Sequence, residues 1–474
     1  MQLGHNGQTL LTVLEIFLCC GTIFGWPNLL KILKKEGFYW TETGNISLAI
    51  TEAPEEPAKE DEKSAQEIQD AAFTAIFTLA TTLFAVAAFL AGFLMDSYGS
   101  MKTRLVGLVL FLAGSMMVTI ATPGESDDYL KYGWTSICCA GIFLLVTQFQ
   151  VANYYEAARG RVLCVFNGAM DSSSCSALLF LTIYNALGYS MTWTIYAALS
   201  ALIIFRTFFL LPIDAIPYLC SKPESGTDEN KNNVELLDDE EKSPHSEEEK
   251  KEAEENEKEV PAFFSSEVAL SPLFISTMLF FIIQVTRVYF YLGGIAPGTK
   301  ELVQLDQNCT QEEAGSITGT MMTNFAIFQF GGVGYAFLNG MVVDSTLAKT
   351  GEKNKALAAG VFLTTILGIS FTALTLIANT TLQYASFFLS VLHRSFTFGI
   401  NATVIGLSFR NEHFGKLYGT TQIFTIISAQ ATDWLFSYAN ANSFVEANRI
   451  LFYLEIISLF HFCLFLYLIR KNPN

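Results

Sequence analysis

Charge is scarce in this chain of 474 residues: 15% are Asp, Glu, Lys or Arg, whereas 51% are hydrophobic and the mean hydropathy is +0.36. A soluble domain carries about 25% charge, so this composition excludes an ordinary soluble enzyme, and its apolar content excludes a disordered chain. Paired cysteines are lacking as well. Cys19, Cys20, Cys138, Cys139, Cys164, Cys175 and Cys463 lie in apolar runs, and Cys220 and Cys309 stand alone in polar segments. Neither a disulfide framework nor a metal site is spaced into such a pattern. His5, His245, His393, His413 and His461 are scattered, and no phosphate-binding loop or nucleophile constellation is present. Catalysis, a cofactor and a metal are therefore not expected. The opening MQLGHNGQTL lacks the basic region of a cleaved signal peptide, so the first apolar run is expected to stay as a span.

The charge that exists is confined. Residues 221–260 hold 16 acids and 6 bases, and residues 41–70 hold 9 acids and 2 bases, which together account for the formal net charge of −17. The rest of the chain is balanced and reads as long apolar runs. A helix needs about 20 residues to cross the hydrocarbon of a bilayer. Windows of that size fall at 9–33, 70–95, 103–122, 130–153, 162–186, 191–213, 269–293, 314–338, 355–378, 382–408, 416–438 and 447–469. The expectation is an all-α membrane protein of twelve transmembrane helices in two six-helix halves. Residues 1–216 form the first half, 217–262 an acidic linker and 263–474 the second half.

Twelve spans place both termini on one side. With the termini in the cytoplasm, the inner loops and tail carry eleven bases against seven in the outer loops, as the positive-inside rule requires. The same orientation puts the glycosylation sequons at Asn45 and Asn308 outside. Asn379 sits in a short loop and is a poor acceptor, and Asn401 lies within a span. The acidic linker cannot bury apolar area, so it reads as a solvated connector, with a regulatory or docking tail as the sharper alternative.

The halves repeat a pattern. Gly92-Phe-Leu-Met-Asp96 follows the second window, with Lys102 and Arg104 after it, and Gly340-Met-Val-Val-Asp344 follows the eighth, with Lys349, Lys353 and Lys355 after it. Gly160-Arg161 before the fifth window likewise matches Gly415-Lys416 before the eleventh. Glycine permits close helix approach, and the aspartates are expected to pair with bases at the cytosolic face. Gly92, Asp96, Arg104, Gly340 and Asp344 are thus candidate gating residues, in contacts that alternating access must make and break. This organisation resembles the major facilitator superfamily.

Several segments resemble one facilitator family more closely. These are Phe24-Gly-Trp-Pro27 with Leu33-Lys-Lys-Glu-Gly-Phe38, Phe166-Asn-Gly-Ala-Met-Asp171-Ser-Ser-Ser174, Thr323-Asn-Phe-Ala-Ile-Phe-Gln-Phe-Gly331 and Asn411-Glu-His-Phe-Gly-Lys-Leu-Tyr-Gly419. They are similar to solute carrier family 43, which contains L-type large neutral amino acid transporters and an equilibrative nucleobase transporter. The second and third segments look more like the nucleobase member, whereas Arg287-Val-Tyr-Phe-Tyr291 looks like the amino acid members. The resemblance implies uncoupled movement of a small neutral solute across the plasma membrane. Purine nucleobases (adenine, guanine, hypoxanthine) are favoured, with large neutral amino acids as the alternative and a non-transporting sensor or scaffold as the competing class. The partners are then the solute and the lipid bilayer; no nucleic acid polymer and no accessory subunit is indicated.

Polar groups inside apolar spans are costly and need a partner or a pore. Glu15 is read either as a cavity group that takes a proton or as a bond to a neighbouring helix. Asn167 and Asp171 sit in the fifth span, Asp171 beside three serines that favour either a solute contact or close packing. Arg206 is expected to snorkel or to pair with Asp214. Gln284, Arg287 and Tyr291 share one helical face. Asn324 and Gln329 lie about 140° apart on theirs. Arg394 and Asn401, seven apart, return to one face. Glu15, Asn167, Asp171, Gln284, Arg287, Tyr291, Asn324, Gln329, Arg394 and Asn401 are the candidate solute ligands, with interhelical bonding as the plainer reading for each. Amides and aromatics suit a planar heterocycle, whereas an amino acid requires an anion partner such as Arg287 or Arg394.

Overall fold

The computed structural model describes residues 4–40, 63–155, 158–211, 263–265 and 267–471. Asn45, Asp214 and all of the acidic linker therefore lie outside the described residues. The described residues are helical or connecting, with no strand among them. The first set comprises α1 (His5–Glu15), α2 (Trp26–Glu36), α3 (Lys63–Tyr98), α4 (Ser100–Ile120), α5 (Asp128–Gln148), α6 (Arg159–Ser172) and α7 (Ser176–Phe205). The second comprises α8 (Pro272–Gln307), α9 (Gln311–Gln329), α10 (Gly332–Thr350), α11 (Lys353–Leu374), α12 (Thr380–Ser408), α13 (Phe414–Ile423), α14 (Thr425–Ala441), α15 (Phe444–Ile457) and α16 (Leu459–Lys471).

Helices occupy all twelve windows, but several spans are broken. Among the described residues seven helical segments are long and apolar enough to cross a membrane, or eight when the α9–α10 pair, bent by 51°, counts as one. One of the seven, Arg159–Leu210, runs through two windows. Its helix is interrupted at Gly188, whose φ of +79° is a conformation that L side chains avoid. The first window is split by a π-turn at Ile16–Cys20 and a 3₁₀ turn at Thr22–Gly25, and the eleventh is split at Phe424. The tenth is an unbroken helix of 29 residues, but His393, Arg394 and Asn401 lower its hydropathy.

Apolar side chains fill both the interior and much of the outward surface. Trp134 and Trp193 are fully buried edge to face at 5.1 Å in the first set, while Val109, Phe209, Ile327 and Ile457 face outward. A soluble protein avoids so apolar a surface, and a bilayer solvates it.

The two sets meet along three pairs of helices: α3 with α13, α6 with α10 and α6 with α12. From Arg159 at the start of α6 to Ser174 just beyond its end, the cross-set contacts span about 22 Å at 1.5 Å per residue. The described bonds between the sets stop there. A shallow open volume of about 630 Å³ lies on the surface of α3, beside Thr74, Ala75, Thr78, Leu79 and Thr82. The molecule is therefore held closed at the end that carries Asp96 and Asp344, and among the described residues no bond joins the two sets at the other end.

Candidate central cavity and gate

The closed end is built from the two halves of the sequence repeat, each gripping the other. A Cβ on Gly92 would lie 1.9 Å from the Gly415 carbonyl oxygen, and one on Gly340 would lie 2.4 Å from the Arg161 Cα, so only glycine permits these crossings. One turn further, Asp96 accepts hydrogen bonds from the backbone N–H groups of Gly415 (3.1 Å) and Lys416 (2.7 Å). These are orphan amides in the first turn of α13, so Asp96 caps that helix from another part of the chain, where the helix dipole favours an anion. Asp344 does the matching work at the start of α6, where Arg161 Nε lies 3.0 Å from its Oδ2. The expected pairing of Asp96 with a basic side chain is thus corrected: its described bonds go to backbone amides.

Arg104 is also corrected. It lies inside the first set with Nη2 on Glu15 Oε1 and Nε donating to Thr207 Oγ1 at 2.7 Å. Arg206 Nη1 holds the other Glu15 oxygen at 2.7 Å and Nη2 reaches Thr12 Oγ1. Glu15 is fully buried between two guanidinium groups, so it is an internal ion-pair centre tying α1, α4 and the end of α7 together. Sequence reading missed Arg159 at the gate. It is buried, donates to the Gly406 carbonyl and to Asn411 Oδ1 (3.0 Å), and so crosses between the sets. At the exposed rim, the Arg410 guanidinium beside Glu412 holds that carboxyl below its usual range.

Moving from the gate toward the opening, further cross-set contacts follow. Asn167 accepts from Tyr418 OH at 3.2 Å, and Ser172 Oγ accepts from the Val333 N–H at 3.0 Å. Then comes an ion pair: Arg394 Nε lies 3.3 Å from Asp171 Oδ1, and its Nη2 donates to the Asp171 carbonyl at 3.2 Å. Gln329 accepts from Ser174 Oγ at 2.9 Å in the last of these bonds. A cavity of about 10 Å³, room for roughly one water, adjoins this floor. Its walls include Tyr291, Phe325, Phe371, Ser390 and Arg394.

The remaining candidates are placed differently. Arg287 is fully buried behind the aromatic wall, with its guanidinium 4.0 Å from the Phe371 ring centre and 5.3 Å from that of Tyr291. It donates to Thr372 Oγ1 (2.7 Å) and Thr375 Oγ1 (3.3 Å), and its Nη1 has no hydrogen-bond partner among the described residues. Gln284 shares the helix face of Arg287, yet it bonds Glu455 (2.8 Å) and Ser458 (2.9 Å), with His393 Nε2 at 2.5 Å, in a buried cluster. Tyr291 OH lies 3.2 Å from Ser386 Oγ, Asn324 donates to Tyr384 OH at 3.3 Å, and Asn401 donates to Thr421 Oγ1 at 3.0 Å. The structure therefore brings Asp171, Arg394, Tyr291 and Gln329 to one floor, and sends Glu15, Gln284 and Asn401 into the interior of a single set. Asn308 is exposed between α8 and α9 in a left-handed conformation, φ +49°. Among the described residues no cluster of His, Cys, Asp and Glu is arranged to hold a metal.

Comparison with known proteins agrees with this architecture. A family model described as Major Facilitator Superfamily matches residues 39–429. The chain is 27% identical to the bovine "Equilibrative nucleobase transporter 1", over 96% of this chain and 94% of that protein. It is 23% identical to the human "Large neutral amino acids transporter small subunit 3", over 90% and 86% respectively. Among solved structures, the human organic anion transporter MFSD10 superposes with a TM-score of 0.59 at 13% identity, covering 97% of this chain and all of that one.

Proposed function

Because the chain belongs to the Major Facilitator Superfamily, we propose that it carries purine nucleobases such as adenine, guanine and hypoxanthine down their gradient by alternating access. The chain is a membrane transporter, not an enzyme. The observation that carries the choice of solute is the Asp171–Arg394 pair. An amino acid needs a free cation for its carboxylate, and Arg394 already has a carboxylate partner. What is left at the floor is a neutral donor–acceptor pair beside the Tyr291, Phe325 and Phe371 rings, which suits a flat, uncharged heterocycle. The similarity to the bovine nucleobase transporter supports the same reading. A large neutral amino acid is the second reading, favoured by the unpartnered Nη1 of Arg287 and by the human amino acid relative.

In this proposal residues 1–216 and 263–474 are two six-helix halves rocking about the level of Asp171, with 217–262 as their connector. Both termini are cytoplasmic in the plasma membrane, and Asn45 and Asn308 are glycosylated outside. Gly92, Asp96, Gly340 and Asp344 close the cytoplasmic gate, so the structure is the outward-open state. Asp171, Tyr291, Gln329 and Arg394 contact the solute. Purified protein in liposomes tests the reading. Saturable uptake of labelled adenine that excess leucine leaves untouched supports it. Saturable leucine uptake without adenine uptake favours the second reading, and no uptake of either would mark a sensor or scaffold.

A further inference from the structure

The ion pair on the cavity floor also bears on which charges the cavity admits. Arg394 lines the one-water cavity at this floor with Tyr291, Phe371 and Ser390, and its guanidinium is a cation. A bare guanidinium there would be a carboxylate receptor, since its fork matches two carboxylate oxygens. Instead Asp171 fills that place: Oδ1 sits 3.3 Å from Nε, and the Asp171 carbonyl takes Nη2 at 3.2 Å. The two side chains are only 10% and 9% exposed, so solvent does little to screen either charge. Asp171 Oδ2 is buried and accepts no hydrogen bond of good geometry, so among the described residues only the Arg394 charge offsets the carboxylate, and the pair is neutral as a whole. Asp171 comes from α6 and Arg394 from α12, so the counter-charge is supplied across the junction of the two sets.

We propose that Asp171 is a specificity-determining counter-anion: by occupying Arg394 it makes the cavity reject anionic solutes, and its removal opens a carboxylate-binding site. The inference rests on the nucleobase reading for the choice of probes. The probes are purine and purine-6-carboxylate, which differ by one carboxylate, used as competitors of labelled adenine uptake into liposomes. For the unaltered protein, purine competes far better than its carboxylate. Asp171→Asn lowers adenine uptake and shifts the ratio of the two inhibition constants toward the carboxylate by at least about tenfold, the worth of one charge-assisted hydrogen bond. Adding Arg394→Gln abolishes that gain. An unchanged ratio in Asp171→Asn overturns the proposal.

If Asp171→Asn does not reach the membrane, Arg394→Gln alone gives the mirror test, because it uncovers Asp171. A permanently cationic N-methylated purine then gains at least about tenfold over purine, and no gain overturns the proposal. Absence of adenine uptake by the unaltered protein would defeat the nucleobase reading. The shift in melting temperature that each probe gives with Asp171→Asn still reports the charge preference on its own.

Discussion

Substituting Gly92 by alanine adds one methyl group at the tightest crossing between the two sets of helices. Its Cβ would lie 1.9 Å from the Gly415 carbonyl oxygen. Carbon and oxygen need roughly 3.3 Å, so α3 and α13 must separate by about 1.4 Å. Asp96, one turn away, would then lose the Gly415 and Lys416 amides, now at 3.1 and 2.7 Å, because both distances would pass the hydrogen-bond limit. A hydrogen bond to a charged group contributes about 1.5–3 kcal/mol, so the closed gate loses about 3 kcal/mol at least. The state with this end open makes neither contact and loses nothing. The ratio of the two states should therefore move about 150-fold toward the inward-open form. Thr78, exposed beside the open volume, reports the change. In purified protein, Thr78→Cys should react quickly with a polar maleimide, and adding Gly92→Ala should slow the reaction at least tenfold. Equal rates in two equally folded proteins would refute the reasoning.

The other expectations follow from the same contacts. Asp96→Asn and Asp344→Asn should each slow turnover several-fold with the Michaelis constant nearly unchanged, since both lie at the gate; a large affinity change at constant maximal rate would contradict this. Glu15→Gln leaves Arg104 and Arg206 buried without their carboxylate, at a cost of about 3–5 kcal/mol, and should appear as a lowered melting temperature or lost expression. Arg287→Gln should reduce adenine uptake by tenfold at most, about 1 kcal/mol, once corrected for surface expression, because its described bonds go to threonines and rings behind the cavity. Abolished uptake at normal expression would favour the amino acid reading. Deleting residues 224–258 should leave uptake largely intact, as measured in cells with matched surface levels.

The sequence makes the spans legible because bilayer thickness imposes a length and an apolar composition that a window can detect. The breaks within the spans are less legible. Ile16–Cys20 and Phe424 are as apolar as their neighbours, so composition gives no sign of the breaks there. For the site, helical spacing yields relative directions but not absolute ones. Gln284 and Arg287 do share a face, yet one joins Glu455 and the other stacks on Phe371. The repeat was visible as two separate correspondences, Gly92/Asp96 with Gly340/Asp344 and Gly160-Arg161 with Gly415-Lys416. That each member of one grips a member of the other requires the folded chain, because the pairing is crossed and the acceptor of Asp96 is a helix terminus rather than a side chain. Arg104 shows the limit of reading by proximity in sequence. It lies eight residues from Asp96, yet the fully buried Glu15, 89 residues away, is the anion that holds it.

Nucleobase exchange can be observed without any imposed gradient of charge or pH. Liposomes holding the purified protein are loaded with unlabelled adenine and diluted into trace labelled adenine. A carrier that alternates between two faces and binds adenine will draw the label inward to a transient excess over its outside concentration, and loading with leucine will not produce the excess. A transient driven by leucine and not by adenine, or label that merely equilibrates in both cases, would contradict the account.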